Sequence, residues 1–261
     1  MSSSMEGENL VNKTNGDTKG QETTVHLSLQ GKGGVGKSLV ASVLSQYFAS
    51  KDRVVHAVDA DPVNQTLAQY EALVVERLDL LRNGNVDQRA FDILMERMLT
   101  EPGIFVVDTG ASTFIPLWNY LLENKALDFL RARGRQVFVH TVVTGGQSLS
   151  DTLSGFGQLA ETTVHRNLIV WLNEYFGEVR QHGASFLDMA VYKKKKKKVH
   201  GVVAIARRNA DTFGKDVEEM ISRKLTFDEA VNGADLTIMA KQRLRVIQRD
   251  LFEQLDAIGL S

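Results

Sequence analysis

The 261-residue chain contains no cysteine. That absence excludes structural disulfides, thiol catalysis and cysteine-ligated zinc or iron–sulfur centres. Proline is scarce, at three residues, so few elements are broken by a missing N–H donor. Net charge is small, at −1 with histidine neutral. No global field therefore draws the molecule to nucleic acid or membrane, and any such binding requires a local patch. Nowhere do apolar residues run on for the ~18 positions of a transmembrane helix. The opening residues, MSSSMEGENLVNKTNGDTKGQ, lack the apolar stretch of a secretory signal. The expectation is a cytoplasmic protein, at most peripherally associated with a membrane or nucleoid.

What is present is an ordinary globular composition, 43% hydrophobic and 24% charged. The length suffices for one large domain with a substantial core. Residues 1–22 offer almost nothing apolar to bury and read as a disordered tail; residues 23–261 form the domain. Short apolar runs at 23–30, 53–59, 104–108, 136–143, 167–173 and 201–206 read as strands. Several are apolar at consecutive positions, which fits parallel strands covered on both faces. Between them, apolar residues at helical spacing predict helices over 37–50, 88–99, 113–132, 149–160, 213–223 and 238–257. In the first, Leu39, Val40, Val43, Leu44, Tyr47 and Phe48 make the stripe. The pattern specifies an α/β fold, a doubly wound, mostly parallel sheet with helices on both faces, with ligands at the carboxyl ends of its strands.

Residues 31–38 fit G-x-x-x-x-G-K-S/T, between a strand ending at Gln30 and a helix starting near Lys37. Gly31, Lys32, Gly33, Gly34, Val35, Gly36, Lys37 and Ser38 are the expected phosphate cradle. Glycines let backbone N–H groups converge on phosphate oxygens, and the helix N-terminus adds partial positive charge. Lys37 should reach the β- and γ-phosphates of a nucleoside triphosphate, and the Ser38 hydroxyl should ligate magnesium. Two further strands end in carboxylates, Asp59-Ala60-Asp61-Pro62 and Asp108 in IFVVDTG. Paired carboxylates at a strand end suit a metal, whose charge keeps them ionised. Asp108, after four apolar residues, is placed to hold magnesium directly or through water. Asn124-Lys125-Ala126-Leu127-Asp128 is one residue too long for a guanine-reading N-K-x-D and lies in a helical pattern, so it is rejected.

The second lysine in KGGVGKS resembles the deviant Walker A motif of the ParA/MinD family of P-loop ATPases. The resemblance implies an ATP-dependent homodimer in which Lys32 reaches the partner's phosphates, as an arginine finger does in trans. It further implies that Asp59 sits near magnesium, that Asp61 positions the attacking water, and that Thr109, Gly110 and Ala111 form a second switch. Asn173 falls where family members hydrogen-bond adenine, which favours ATP. Val63 stands where the family commonly has glutamine, and Ala206-Arg207-Arg208-Asn209 stands where a segment covers the base. The segments LSLQGKGGVGKS, VDADPVNQTL, VVTGGQSLSDTLSGF, LNEYFGEV and DTFGKDVEEMISRKLTFDEAV are similar to TraL-type conjugal transfer proteins of broad-host-range plasmids, from about residue 25 to 258. That resemblance implies work in plasmid conjugation or maintenance, with conjugation or partition proteins as partners.

Lys193, Lys194, Lys195, Lys196, Lys197 and Lys198 are consecutive. They read as a solvated helix end or as a patch for DNA phosphates or an anionic surface. The helix over 238–257 has one apolar face, suited to the sheet or to a membrane surface. The six histidines are scattered, without ligand spacing, and Trp118 and Trp171 look like core. The leading expectation is a slowly hydrolysing, dimeric ATPase switch. The alternatives are a nucleotide-gated binding module with negligible hydrolysis, and an ATP-dependent enzyme acting on a small metabolite.

Overall fold

The computed structural model describes residues 23–163 and 165–260, so the expected tail over 1–22 lies outside the described residues. Six strands arise from the apolar runs: β1 (Thr24–Ser28), β2 (Val55–Ala60), β6 (Ile104–Thr109), β7 (Gln136–Thr144), β8 (Leu168–Asn173) and β11 (Val199–Ile205). A seventh, β3 (Val75–Arg77), escapes the sequence pattern because it has three residues and is largely exposed. The main sheet runs β11-β8-β7-β1-β6-β2-β3 with every pair parallel. Two small hairpins, β4 (Leu81–Arg82) with β5 (Asn85–Val86) and β9 (Arg180–Gln181) with β10 (Ala184–Ser185), lie outside it.

Consecutive apolar residues are explained by two cores, one on each face. In β6, Phe105 and Val107 enter one core while Ile104 and Val106 enter the other. The first core is closed by α2 (Ala90–Thr100), α3 (Ala111–Glu123), α4 (Ala126–Ala132), α5 (Leu149–Thr162) and α6 (Ala190–Lys195). The second is closed by α1 (Lys37–Ala49), α7 (Lys215–Ser222), α8 (Phe227–Asn232) and α9 (Ile238–Ala257). This is the expected doubly wound architecture.

Three local expectations are corrected. The single helix over 113–132 is two, because Lys125 adopts a left-handed φ of 49° and ends the run between α3 and α4. The helix over 213–223 opens instead with a wide π-turn over Ala210–Gly214 before α7. The outer strand begins at Val199, not 201, so the lysine run leads straight into the sheet. Within that run Lys195 pairs with Glu161 on α5 at 2.5 Å, Lys193 with Asp188 at 3.5 Å, and Lys198 donates to the Thr163 carbonyl at 2.7 Å. Lys194, Lys196 and Lys197 are exposed. The apolar face of α9 is committed to the sheet, with Leu244, Ile247, Leu251 and Leu255 buried in the second core. No helix among the described residues is long and apolar enough to cross a membrane.

Candidate nucleotide site

Strand register assembles the site. Ser28 on β1 lies beside Asp108 on β6, and Asp108 lies beside Asp59 on β2. The three strands are parallel neighbours, so residues 31–36, 61–66 and Gly110 leave the sheet at one edge. Distant segments meet there because crossovers return each strand in the same direction.

In the phosphate loop Gly34 and Gly36 have φ of 72° and 105°, a region costly for residues with a Cβ. A Cβ at Gly36 would also lie 2.9 Å from Asn173 Nδ2. Lys37 opens α1, is buried, and donates its ammonium to the Lys32 carbonyl at 3.1 Å. Burial lowers its pKa, against the opposing charges of Asp108 and Asp61. A cation desolvated in this way at a helix N-terminus is preorganised for a polyanion.

Asp108 is fully buried, and neither carboxylate oxygen has a hydrogen-bond partner of good geometry, although the Ser38 hydroxyl is close enough to stabilise its charge. Burial first, and then the charges of Asp59 and Asp61, push its pKa up to about 7 against the neighbouring Ser38 hydroxyl and Lys37 ammonium. A buried carboxylate with no well-formed hydrogen bond is an unusual and costly arrangement. It fits a divalent cation as the missing partner. No group of three or more His, Asp or Glu among the described residues forms a ready cage.

Asp59 is equally buried but differently employed. Oδ1 accepts the Asp61 N–H at 3.0 Å and Oδ2 the Ala68 N–H at 2.9 Å, so it anchors the loop after β2. Burial raises its pKa while these donors lower it. Asp61 accepts the N–H groups of Val63 and Asn64 at 2.9 and 3.2 Å on Oδ1, and Asn64 Nδ2 at 3.1 Å on Oδ2. It rests against Gly110, where a Cβ would fall 2.5 Å from Oδ1. The first segment after β2 thus sits directly on the one after β6, a contact for which the only sequence signal was the glycine itself.

Asn173, 3% exposed, donates Nδ2 to the Val35 carbonyl at 2.9 Å and accepts the Tyr175 N–H at 3.1 Å. The structure therefore shows it bracing the phosphate loop, with one N–H and one lone pair remaining. Lys32 forms an ion pair with Asp151 on α5 at 2.8 Å and is not among the residues lining its own cleft. A cleft of about 680 Å³ opens at the phosphate loop, within the usual range for a small-molecule site. Gly33, Gly34, Lys37, Ser38, Asp61 and Asn173 line it. An apolar cavity of about 200 Å³ adjoins it, sharing Leu39, Tyr175, Ile205 and Val217. The Tyr175 hydroxyl donates to Glu218 on α7.

Parallel sheet, glycine loop and buried lysine define a P-loop NTPase fold. Residues 28–234 match the profile of the CobQ/CobB/MinD/ParA nucleotide binding domain, and the chain belongs to that family. It is similar to Protein TraL of Escherichia coli, with 43% identity over 237 residues, 90% of this chain and 98% of the relative. A second Escherichia coli Protein TraL shows 42% identity over 233 residues, 89% and 97% of the two chains. The solved MinD cell division protein of Aquifex aeolicus aligns with a TM-score of 0.49 and 18% identity, over 89% of this chain and 97% of that one.

Proposed function

We propose that this protein is a magnesium- and ATP-dependent dimeric switch with slow hydrolysis. The observation that carries the reading is the buried Lys37 ammonium beside the buried, poorly bonded Asp108 carboxylate under one phosphate loop. The N–H groups of residues 33–38 and the Lys37 ammonium hold the β- and γ-phosphates. Ser38 and Asp108 hold magnesium, and Asp59 stands next to them while anchoring the loop after β2. When bound, magnesium neutralises charge on the phosphate oxygens. Asn173 faces the base with the donor and acceptor left by its bonds to the phosphate loop and Tyr175.

Asp61 orients the attacking water. To do so it exchanges the bonds it makes to Val63 and Asn64, and this exchange supports slow rather than rapid turnover. The same observation favours the second reading, a nucleotide-gated module with negligible hydrolysis. Lys32 acts across a homodimer, for which it leaves Asp151. The similarity to the TraL proteins supports a task in plasmid conjugation or maintenance, with transfer or partition proteins as partners. Lys194, Lys196 and Lys197 are where DNA phosphates or an anionic surface would be met.

Equilibrium binding of a fluorescent ATP analogue and steady-state phosphate release test the assignments. Lys37→Ala is expected to abolish binding. Asp61→Ala is expected to keep binding near the parental level while turnover falls at least about a hundredfold, the usual contribution of a positioned acid–base group. Parental turnover by Asp61→Ala sinks the water assignment. Turnover undetectable in the parent itself, with binding intact, selects the module reading.

A further inference from the structure

Gln30 lies one residue before the phosphate loop and is 1% exposed. Its Nε2 stands within reach of three acceptors: the Val142 carbonyl at 3.0 Å, the Thr152 carbonyl at 3.3 Å and Thr141 Oγ1 at 3.4 Å. Two of these belong to β7 and one to the first turn of α5. Its other end occupies the space that a side chain at residue 155 would need. A Cβ built on Gly155 would fall 2.2 Å from Gln30 Oε1 and 2.9 Å from both Cδ and Nε2.

Gly155 is in the interior of α5 and has no left-handed φ to justify a glycine. Glycine is disfavoured at such a position, so the reason for it is the space it leaves. Asp151, one turn earlier on α5, holds Lys32 on the far side of Gly31. α5 therefore grips the chain immediately before and immediately after the first glycine of the phosphate loop.

We propose that Gln30 is a positioning residue for nucleotide binding: seated in the notch that Gly155 leaves in α5, it sets the placement of the phosphate loop and makes loop and helix move as one unit. The inference rests on the nucleotide reading above. It follows that filling the notch from the helix side displaces Gln30, and with it the loop, without touching any residue that meets phosphate. Because the coupling is a shared free energy, shortening Gln30 should relieve the damage that a filled notch causes.

The test is titration of a fluorescent ATP analogue with magnesium into the parent, Gly155→Ala, Gln30→Met, Gln30→Ala and the Gly155→Ala/Gln30→Ala double variant, with nucleotide-free melting curves for each. Gly155→Ala is expected to weaken binding by about tenfold or more, and the double variant to return to within about threefold of Gln30→Ala. Gln30→Met, which keeps the shape and loses the donor, is expected to weaken binding at a nearly parental melting temperature. Parental affinity in Gly155→Ala overturns the proposal, as does additivity, in which Gly155→Ala weakens the Gln30→Ala background by the same factor as it weakens the parent. If Gly155→Ala does not fold, parental affinity in Gln30→Met overturns it. If the parent itself fails to bind, the nucleotide reading falls, and this inference falls with it.

Discussion

Acidification from pH 7 to pH 5 is expected to cost the nucleotide-free Asp108→Asn variant about 2 kcal/mol more stability than it costs the parent. The source of the loss is a polar chain across three strands. Trp171 Nε1 on β8 donates to His140 Nδ1 on β7 at 2.9 Å, so His140 carries its proton on Nε2. That proton faces His26 Nδ1 on β1 at 2.9 Å, so His26 in turn carries its proton on Nε2, toward Thr24 Oγ1 at 3.1 Å. Both imidazoles are neutral in this arrangement and both are fully buried. The other ionisable group at the cluster is His200 on β11, which packs edge-on to Phe138; Phe138 in turn stacks on His26. On α1 and α9, Tyr47 and Lys51 both bond Asp256, and Tyr47 packs on Phe48, which in turn touches His26.

Burial, reinforced by His200, lowers the pKa of His26 from 6.5 to about 3, and burial with His26 and His200 takes His140 well below 6.5. The folded pKa is depressed for a base, so between these values the unfolded chain binds protons that the folded chain refuses. Stability is complete above pH 6.5 and is lost as pH falls. His26 contributes about 2 kcal/mol of loss between pH 7 and 5, and His140 adds to it with the same sign. Asp108 acts with the opposite sign. Its folded pKa of about 7 lies above the ordinary 3.8, so the folded state takes up a proton first and recovers about 2 kcal/mol over the same range. Asp108→Asn removes that recovery and leaves the full histidine slope. Urea unfolding at pH 7, 6 and 5 measures both. An Asp108→Asn curve as shallow as the parent's contradicts the account. His26→Phe with His140→Leu should flatten it.

The second large effect is the stability of Asp108→Asn itself. At pH 8, without nucleotide, this variant is expected to be more stable than the parent by about 2 kcal/mol, on the order of 4–8 °C in melting temperature. Lifting a carboxylate from 3.8 to about 7 means that its charged form costs the fold about 4 kcal/mol. An amide removes the charge but leaves polar atoms buried without partners, which returns about 2 kcal/mol of the penalty. With ATP and magnesium the order should invert. The parent gains stability by mass action from a bound ligand, and Asp108→Asn, lacking the carboxylate that magnesium would meet, gains far less. Melting curves at pH 8 with and without magnesium–nucleotide provide the check. An apo variant less stable than the parent means that Asp108 is held by partners and is no metal carboxylate. A residue that destabilises the empty protein and is needed by the loaded one is the usual sign of a functional site.

Both effects depend on contacts between residues far apart in the chain. The separation of His26 and His140 is 114 residues, which is why scanning for ligand spacing found six scattered histidines and no pair. Trp171 was legible as core from its apolar strand, but not as the donor that fixes a tautomer. The same limit applies to Asn173, whose position at a strand end was visible while its bond to the Val35 carbonyl was not. Gly110 reads from the sequence as part of a second switch, but its contact with Asp61, like the fit of Gln30 against Gly155, exists only once the elements are packed. Short or polar elements escape the sequence pattern where local signals are weak, as at β3, or where a single left-handed residue overrides periodicity, as at Lys125.

The class of fold and the residue types of the phosphate loop are written locally in the chain. Consecutive apolar runs require strands covered on both faces, and glycines followed by Lys37 and Ser38 require no partner from elsewhere to form an anion cradle. How that loop is held is written only in the packing of distant segments. Strand order β1-β6-β2 sets Asp108 beside Asp59 beneath the loop, Asp151 takes hold of Lys32, and the α5 notch receives Gln30. The physical reason is range. Periodicity and turn chemistry act over a few residues and are written locally, whereas burial, orphaned charge and close approach exist only between segments that the fold brings together.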